Sequence, residues 1–453
     1  MSKRFIGLAL ILSLASGAAL AQTSRSSWVV SDIYNYNHPY AATDSADLAT
    51  KMSTMNGSAF YFYRGTADIF YHDMTTLPAS AYVNATTNYT WLGGDAHICN
   101  FGAFQDSSGN FVFGVNDFDE GYLGQYVWDL RRAAVSIVLA GQENGLSTSD
   151  IASAINTFVS AYVAQLQVFA GSNKTEKSFQ LTNSNTSSTV QSLIGTSSDD
   201  TRKSLLSKYT STSNGVRTFQ TNSGLATVSQ TTYGQIVSAI AAYVQTISSS
   251  KQYAASYYTV KDVRQRLGEG TGSLGKLRYY VLIEGSSTSD SDDVILDLKQ
   301  EAASNVAIAA PGQLPTTDYA NNQGDRVART NKAQLLNAAV LIGYTTVNGV
   351  PYSVTEKSPF AEGFDYTQLT SSKKFNTAMT YFGQALASAH ALADNDYDST
   401  VVPYSMETQI TKAVTSVSGL QSEISAFAFS YAQQVNLDWQ SFKTAYAAGT
   451  ALY

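Results

Sequence analysis

Gly93-Gly94-Asp95-Ala96-His97-Ile98-Cys99-Asn100, followed by Val115-Asn116-Asp117-Phe118-Asp119-Glu120, is the stretch on which the reading of this chain turns. Tyr89 to Leu92 predicts a short buried strand entering Gly93-Gly94. Asn110 to Val115 alternates in hydropathy after a Ser-Ser-Gly-Asn turn and predicts the next strand. A hairpin of that length can bring Asp95, Asn100 and Asp117 around one cation. Hard oxygen donors of this kind suit Mg²⁺ or Mn²⁺, whereas 4 His and 1 Cys in the whole chain give little support to zinc. Asp-x-x-x-x-Asn, then a strand, then Asp-Phe is the arrangement phosphoryl transfer needs. One carboxylate orients a hydroxyl, and the amide with the second carboxylate holds the metal. Asp and Asn in Gly-rich turns also cap local backbone, so the weight falls on three spaced groups together, with His97 between them and Asp119 beside them.

A second signal lies about 170 residues downstream, in Gly270-Thr271-Gly272-Ser273-Leu274-Gly275. Leu277 to Glu284 and Val294 to Lys299 predict the two strands that follow, joined by a polar loop. Gly-rich backbone lets N–H groups approach phosphates, and a lysine on the next strand can reach them. A dinucleotide-binding fingerprint would need a helix after the glycines, and a strand follows here. Glu301 shares a strand face with Lys299 and could pair with it.

The remaining composition narrows the function classes. Charged residues make up 14% of 453 residues, with a net charge of −7 and no basic block, which argues against nucleic acid as a partner. Lys3 and Arg4, the apolar run Phe5 to Ala15 and the small residues Ala19-Leu20-Ala21 predict a signal peptide over 1–21, hence export to a periplasmic or secreted location. No later run approaches the ~18 apolar residues of a membrane span, so stable membrane insertion after cleavage is not expected. Cys99 alone cannot form an internal disulfide.

Along the chain, 22–90 reads as turns mixed with aromatic segments. Residues 91–258 read as a largely helical part with a polar insertion at 171–230, closing on a long helix from Thr231 to Tyr258. Residues 259–360 are strand-rich, with a helix expected from Asp325 to Ile342 and a strand from Tyr352 to Lys357. Residues 361–453 are helical, over Phe375 to Ala393 and Glu407 to Tyr446. The fold class expected is α+β.

Gly94-Asp95-Ala96-His97-Ile98-Cys99-Asn100, Val115-Asn116-Asp117-Phe118 and Trp128-Asp129-Leu130 resemble the protein-kinase-like superfamily, in its aminoglycoside- and choline-phosphorylating branch. That resemblance implies Asp95 as catalytic base, Asn100 and Asp117 as metal ligands, and Asp129 as an internal brace. It also implies ATP as phosphoryl donor and Mg²⁺ (or Mn²⁺) as cofactor. Gly270, Gly272, Ser273, Gly275 and Lys299 would hold the phosphates. Asp119 is a further metal candidate, with His97, Arg64, Arg131 and Glu301 in support. Most of the chain is also similar to an uncharacterised bacterial family, domain of unknown function 2252. Its pattern recurs at Phe62-Tyr63-Arg64-Gly65, Asn116-Asp117-Phe118-Asp119-Glu120, Trp128-Asp129-Leu130-Arg131-Arg132 and Ala387-Ser388-Ala389-His390-Ala391.

In the kinase-like order the Gly-rich strands and lysine precede the catalytic loop, whereas here they follow it. The resemblance therefore implies a two-lobe fold in circularly permuted order. A small antiparallel-sheet nucleotide lobe would stand beside a mainly helical lobe assembled from both ends of the chain. The expected function is transfer of phosphate from ATP to a hydroxyl of a small molecule or carbohydrate. The alternatives are a non-catalytic nucleotide- or metal-binding protein, a metal-dependent phosphoester hydrolase, and a surface or carbohydrate-binding protein whose carboxylates take Ca²⁺.

Overall fold

The computed structural model describes residues 23–453 apart from 172, 222, 223 and 269. The expected signal peptide lies outside the described residues. The fold is α+β, with several antiparallel sheets. No described helix is long and apolar enough to cross a membrane.

The largest sheet has six antiparallel strands. In spatial order they are Gly343–Val347, Val350–Glu356, Val294–Gln300, Arg278–Ile283, Val260–Arg266 and Leu225–Thr227. Strand alternation explains the central strand, Val294-Ile-Leu-Asp-Leu-Lys-Gln. Val294, Leu296 and Leu298 enter a core with Ile236, Ile240 and Tyr243 of the helix Gln230–Val244. Asp297 and Lys299 point to the other face. There Lys299 lies opposite Arg278 on one neighbour and Ser353 on the other. The sheet thus begins before residue 259, where the sequence placed its start.

The helical body has one continuous apolar core drawn from both ends of the chain. It joins residues such as Phe60, Trp91, Leu130 and Phe158 to Phe382, Leu386, Ile424 and Phe442. The helix Thr148–Gly171 packs along Ser372–Leu392. Arg25 ties the first described helix, 23–37, to two others, at 3.0 Å from Asp73 Oδ1 and 2.7 Å from Asp438 Oδ2.

Four expectations change. Within the segment 22–90, the described residues are mainly helical, over 23–37, Ser45–Gly57, Ala59–Gly65 and Ala67–Thr76. Asp44 and Ser58 cap the second and third by accepting from backbone N–H groups. The helix expected to reach Tyr258 stops at Val244, where Gln252 Nε2 donates to the carbonyls of Val244 and Ile247 at 3.0 and 2.9 Å. The helix expected to reach Ile342 spans only Gln323–Gln334, and the strand Gly343–Val347 follows. The C-terminal helix is two, Met406–Ala413 and Val417–Ala447, the second opened by Ser416 as N-cap.

Candidate functional site

The opening stretch folds as two turns that meet. The strand Thr90–Leu92 pairs with Tyr122–Gly124, and Phe101–Gln105 pairs with Phe111–Val115. Phe101 faces Val115, so Asn100 and Asn116 leave the hairpin side by side, joined by Asn116 N–H to Asn100 O at 3.1 Å. Gly94 has φ +80, and a Cβ there would collide with the carbonyl oxygen of Glu120. Glycine is required both for the turn and for the approach of the second motif to the first.

Asp129 accepts from the N–H groups of Gly93 and Gly94 at 2.9 and 3.1 Å, which holds the turn from inside. His390 Nε2 lies 3.3 Å from the same carboxylate, and its Nδ1 is 2.8 Å from the Tyr162 hydroxyl. Tyr71 Oη donates to Gly94 O. The Asp95 side chain is held by Arg132, whose Nε reaches Oδ1 at 2.7 Å. Arg132 is fully buried, donates to Tyr63 O at 2.9 Å and lies over the Tyr63 ring at 3.8 Å. His97 Nε2 stands 3.4 Å from Asp95 Oδ2. Burial, then Arg64 and Arg132, hold the imidazole well below its ordinary value, so this contact is neutral and not an ion pair.

Asp95, Asn100, Asp117 and Asp119 line one side of a cleft of about 260 Å³. Gly270, Thr271, Gly272, Ser273, Lys276 and Lys299 line the other. Lys299 Nζ forms an ion pair with Asp119 Oδ2. Burial pushes the Asp119 carboxyl up, but Lys299 and Lys276 outweigh it and the net shift is downward. Asp117 is pushed up to about 6 by burial and then by Asp119, with Lys299 opposing. Burial would lower the Lys299 ammonium, but Asp117, Asp119 and Glu301 together raise it.

The family follows from the whole chain rather than from this cleft. A family of uncharacterised proteins conserved in bacteria, DUF2252, matches residues 44–445. The chain belongs to that family. No curated protein and no solved structure matches it.

In this DUF2252 member the structure brings together the residues that the sequence singled out, with three exceptions. Gly275 does not line the cleft, and a Cβ there would meet Leu48. Arg131 does not line the cleft. It points away to Pro78 O at 3.2 Å and Glu423 at 3.5 Å, with its guanidinium 4.5 Å from the Phe427 ring. The helix Tyr126–Glu143 turns ~100° per residue, so adjacent arginines serve different faces. Glu301 is not the hydrogen-bonded partner of Lys299. It accepts from Ser353 Oγ at 2.7 Å and is pushed up to about 8 by burial and then by Asp119.

Three further residues complete the cleft. Lys276 lines it directly after the Gly-rich turn. Arg326, fully buried on the helix Gln323–Gln334, donates to Gly121 O at 2.6 Å, Asp119 O at 2.9 Å and Ala302 O at 3.0 Å. It thereby clamps the turn carrying Asp119 to the chain just past Lys299. Glu120 accepts from Asn305 N–H at 2.5 Å, adding a second clamp. A lone buried arginine in a helical segment is a weak sequence signal, since its partners are backbone carbonyls from remote loops.

Proposed function

We propose that this cleft binds a nucleoside triphosphate with Mg²⁺ and transfers its terminal phosphoryl group to a hydroxyl of a small molecule or sugar. The observation that carries the reading is the convergence on one cleft of Asp95, Asn100 and Asp117 with the Gly270–Ser273 turn and Lys299. Two segments that resemble the two halves of a kinase-like site meet there in reversed chain order. The core shared by both ends of the chain, with the large sheet between them in sequence, fits a circular permutation.

The donors suit the metal. Asn100 uses its Nδ2 on Asp95 O at 2.9 Å, which leaves Oδ1, the atom a hard cation takes. Asp117 is a half-buried carboxylate pushed up by its surroundings, and a bound cation would relieve that. Bound Mg²⁺ would neutralise charge on the transferring phosphate oxygens. Asp95 would accept the proton of the attacking hydroxyl, oriented by Arg132. Lys299, Lys276 and the backbone of Gly270, Gly272 and Ser273 would hold phosphate oxygens. His97 would orient Asp95, and Arg64, which lines the same cleft, would meet substrate anions.

The test is incubation with γ-labelled ATP, Mg²⁺ and a panel of sugars and amino alcohols. Label should pass to an acceptor, and Asp95→Asn should abolish transfer while nucleotide binding persists. Phosphate release without any acceptor, and unaffected by Lys299→Met, would instead identify a phosphoester hydrolase.

A further inference from the structure

A second group of carboxylates lies outside the cleft and plays no part in that chemistry. Glu176 ends the short helix Asn173–Glu176, and Asp394 and Asp396 follow the helix Ser372–Leu392. Oxygens of these three residues lie within 4.8 Å of one another. Glu407, in the first turn of Met406–Ala413, joins them: its carboxylate is in hydrogen-bonding contact with Asp394, and its charge acts on Glu176.

Two of these carboxylates are more deeply buried than their hydrogen-bond donors can account for. Glu176 and Glu407 are both 0% exposed. Glu176 meets only another acid, Asp396, and neither of its oxygens, nor Oε2 of Glu407, has an N–H or hydroxyl donor among the described residues. Asp394 is firmly placed, accepting from Asp396 N–H and Met406 N–H at 2.8 Å each. Lys177, 3.0 Å from Asp396 on the solvent side, is the only described cation paired with the group, and it does not touch Glu176. Burying carboxylates without donors or counter-charge costs several kcal/mol per group.

We infer that Glu176, Asp394, Asp396 and Glu407 form a structural Ca²⁺ site that pins the 394–407 segment to the end of the helix pair Thr148–Gly171 and Ser372–Leu392. The donor set is oxygen only, unlike the Cys and His sets of structural zinc sites. Three or four carboxylates on one ion suit Ca²⁺, which accepts 6–8 oxygens in flexible geometry. Mg²⁺ keeps several waters and takes one or two carboxylates. This inference is independent of what the cleft does.

The experiment uses the full chain, freed of metal with EGTA and titrated with CaCl₂ by calorimetry and thermal unfolding. One Ca²⁺ should bind, and about 1 mM should raise the unfolding midpoint by about 2–4 °C, with MgCl₂ raising it less. Glu176→Gln should abolish the rise while leaving the metal-free midpoint unchanged or higher, because an unpaired buried carboxylate is gone. Asp396→Asn, at an exposed position, should weaken binding at least tenfold without disturbing the core. Asp117→Asn should keep the full response. No shift of the wild-type midpoint by about 5 mM Ca²⁺ would overturn the inference. So would a response lost in Asp117→Asn and retained in Glu176→Gln and Asp396→Asn, which would place the ion in the cleft.

Discussion

Lys299 forms an ion pair with Asp119, 180 residues away in sequence, and so joins the central strand of the six-stranded sheet to the turn that carries Asp117. The two side chains are 17% and 20% exposed, so the pair is only partly screened. Lys299→Met leaves two clustered carboxylates facing each other without their nearest cation. The expected loss is about 1–3 kcal/mol in urea unfolding. Asp119→Asn in the Lys299→Met background should recover part of it, with a coupling of about 0.5–3 kcal/mol from the double-mutant cycle. Additive losses would show that the pair carries no energy of its own.

Arg132 is the support on which Asp95 depends. Its guanidinium is fully buried and held by Asp95 through Nε, by Tyr63 O through Nη2 and by the Tyr63 ring. Arg132→Met strands a carboxylate and should cost about 3–5 kcal/mol. Arg132→Lys keeps the charge but not the fixed planar fork, so it should fold better than the Met variant while remaining poorly active. Equal unfolding midpoints for the two variants would contradict this account.

Gly94 tests the contact between the two motifs. Gly94→Ala must adopt φ +80 and fit a methyl group against Glu120 O. Backbone strain of this kind costs about 1–3 kcal/mol, read as a lower denaturant midpoint. Gly109 also has positive φ, but nothing lies within 4 Å of its Cβ position. Gly109→Ala should therefore cost less.

Two buried groups give stability a pH dependence of opposite sign. His97 is held below its ordinary value of 6.5 by burial, Arg64 and Arg132. Its contribution is complete above that value, because the imidazole is neutral in both states. It falls as pH drops below about 6.5 and the unfolded chain takes the proton, by up to ~1.4 kcal/mol per pH unit. His97→Gln should flatten that limb relative to wild type. Glu301 is raised to about 8, so its contribution is complete below its ordinary value of 4.5 and is lost as pH rises through about 8. Glu301→Gln should make the protein more stable than wild type above that pH, measured by unfolding at pH 6 and pH 9.

The parts legible in the sequence were those whose partners are close in sequence or set by strand period. Asp95, Asn100 and Asp117 flank one hairpin, and Asp297 and Lys299 alternate with Leu296 and Leu298, so pattern alone places them. The partners of Arg132 and Arg326 are remote, and a helical arginine looks the same whichever face it serves. The sequence therefore could not separate Arg132, which holds Asp95, from Arg131, which reaches Glu423. The helices of 23–76 were missed because their capping residues Asp44 and Ser58 sit in stretches that also read as turns. The group of Glu176, Asp394 and Asp396 joins parts of the chain more than two hundred residues apart, which no local pattern shows.

The central claim is that the cleft between the large sheet and the 93–120 stretch is a magnesium–nucleotide site. Calorimetric titration of the purified chain with a non-hydrolysable ATP analogue, with and without MgCl₂, tests it most directly. The account predicts one saturable site that requires Mg²⁺, is lost in Asp117→Asn and is weakened at least tenfold in Lys299→Met, about 1.4 kcal/mol. No binding at millimolar analogue, or binding indifferent to Mg²⁺ and to both substitutions, would contradict it.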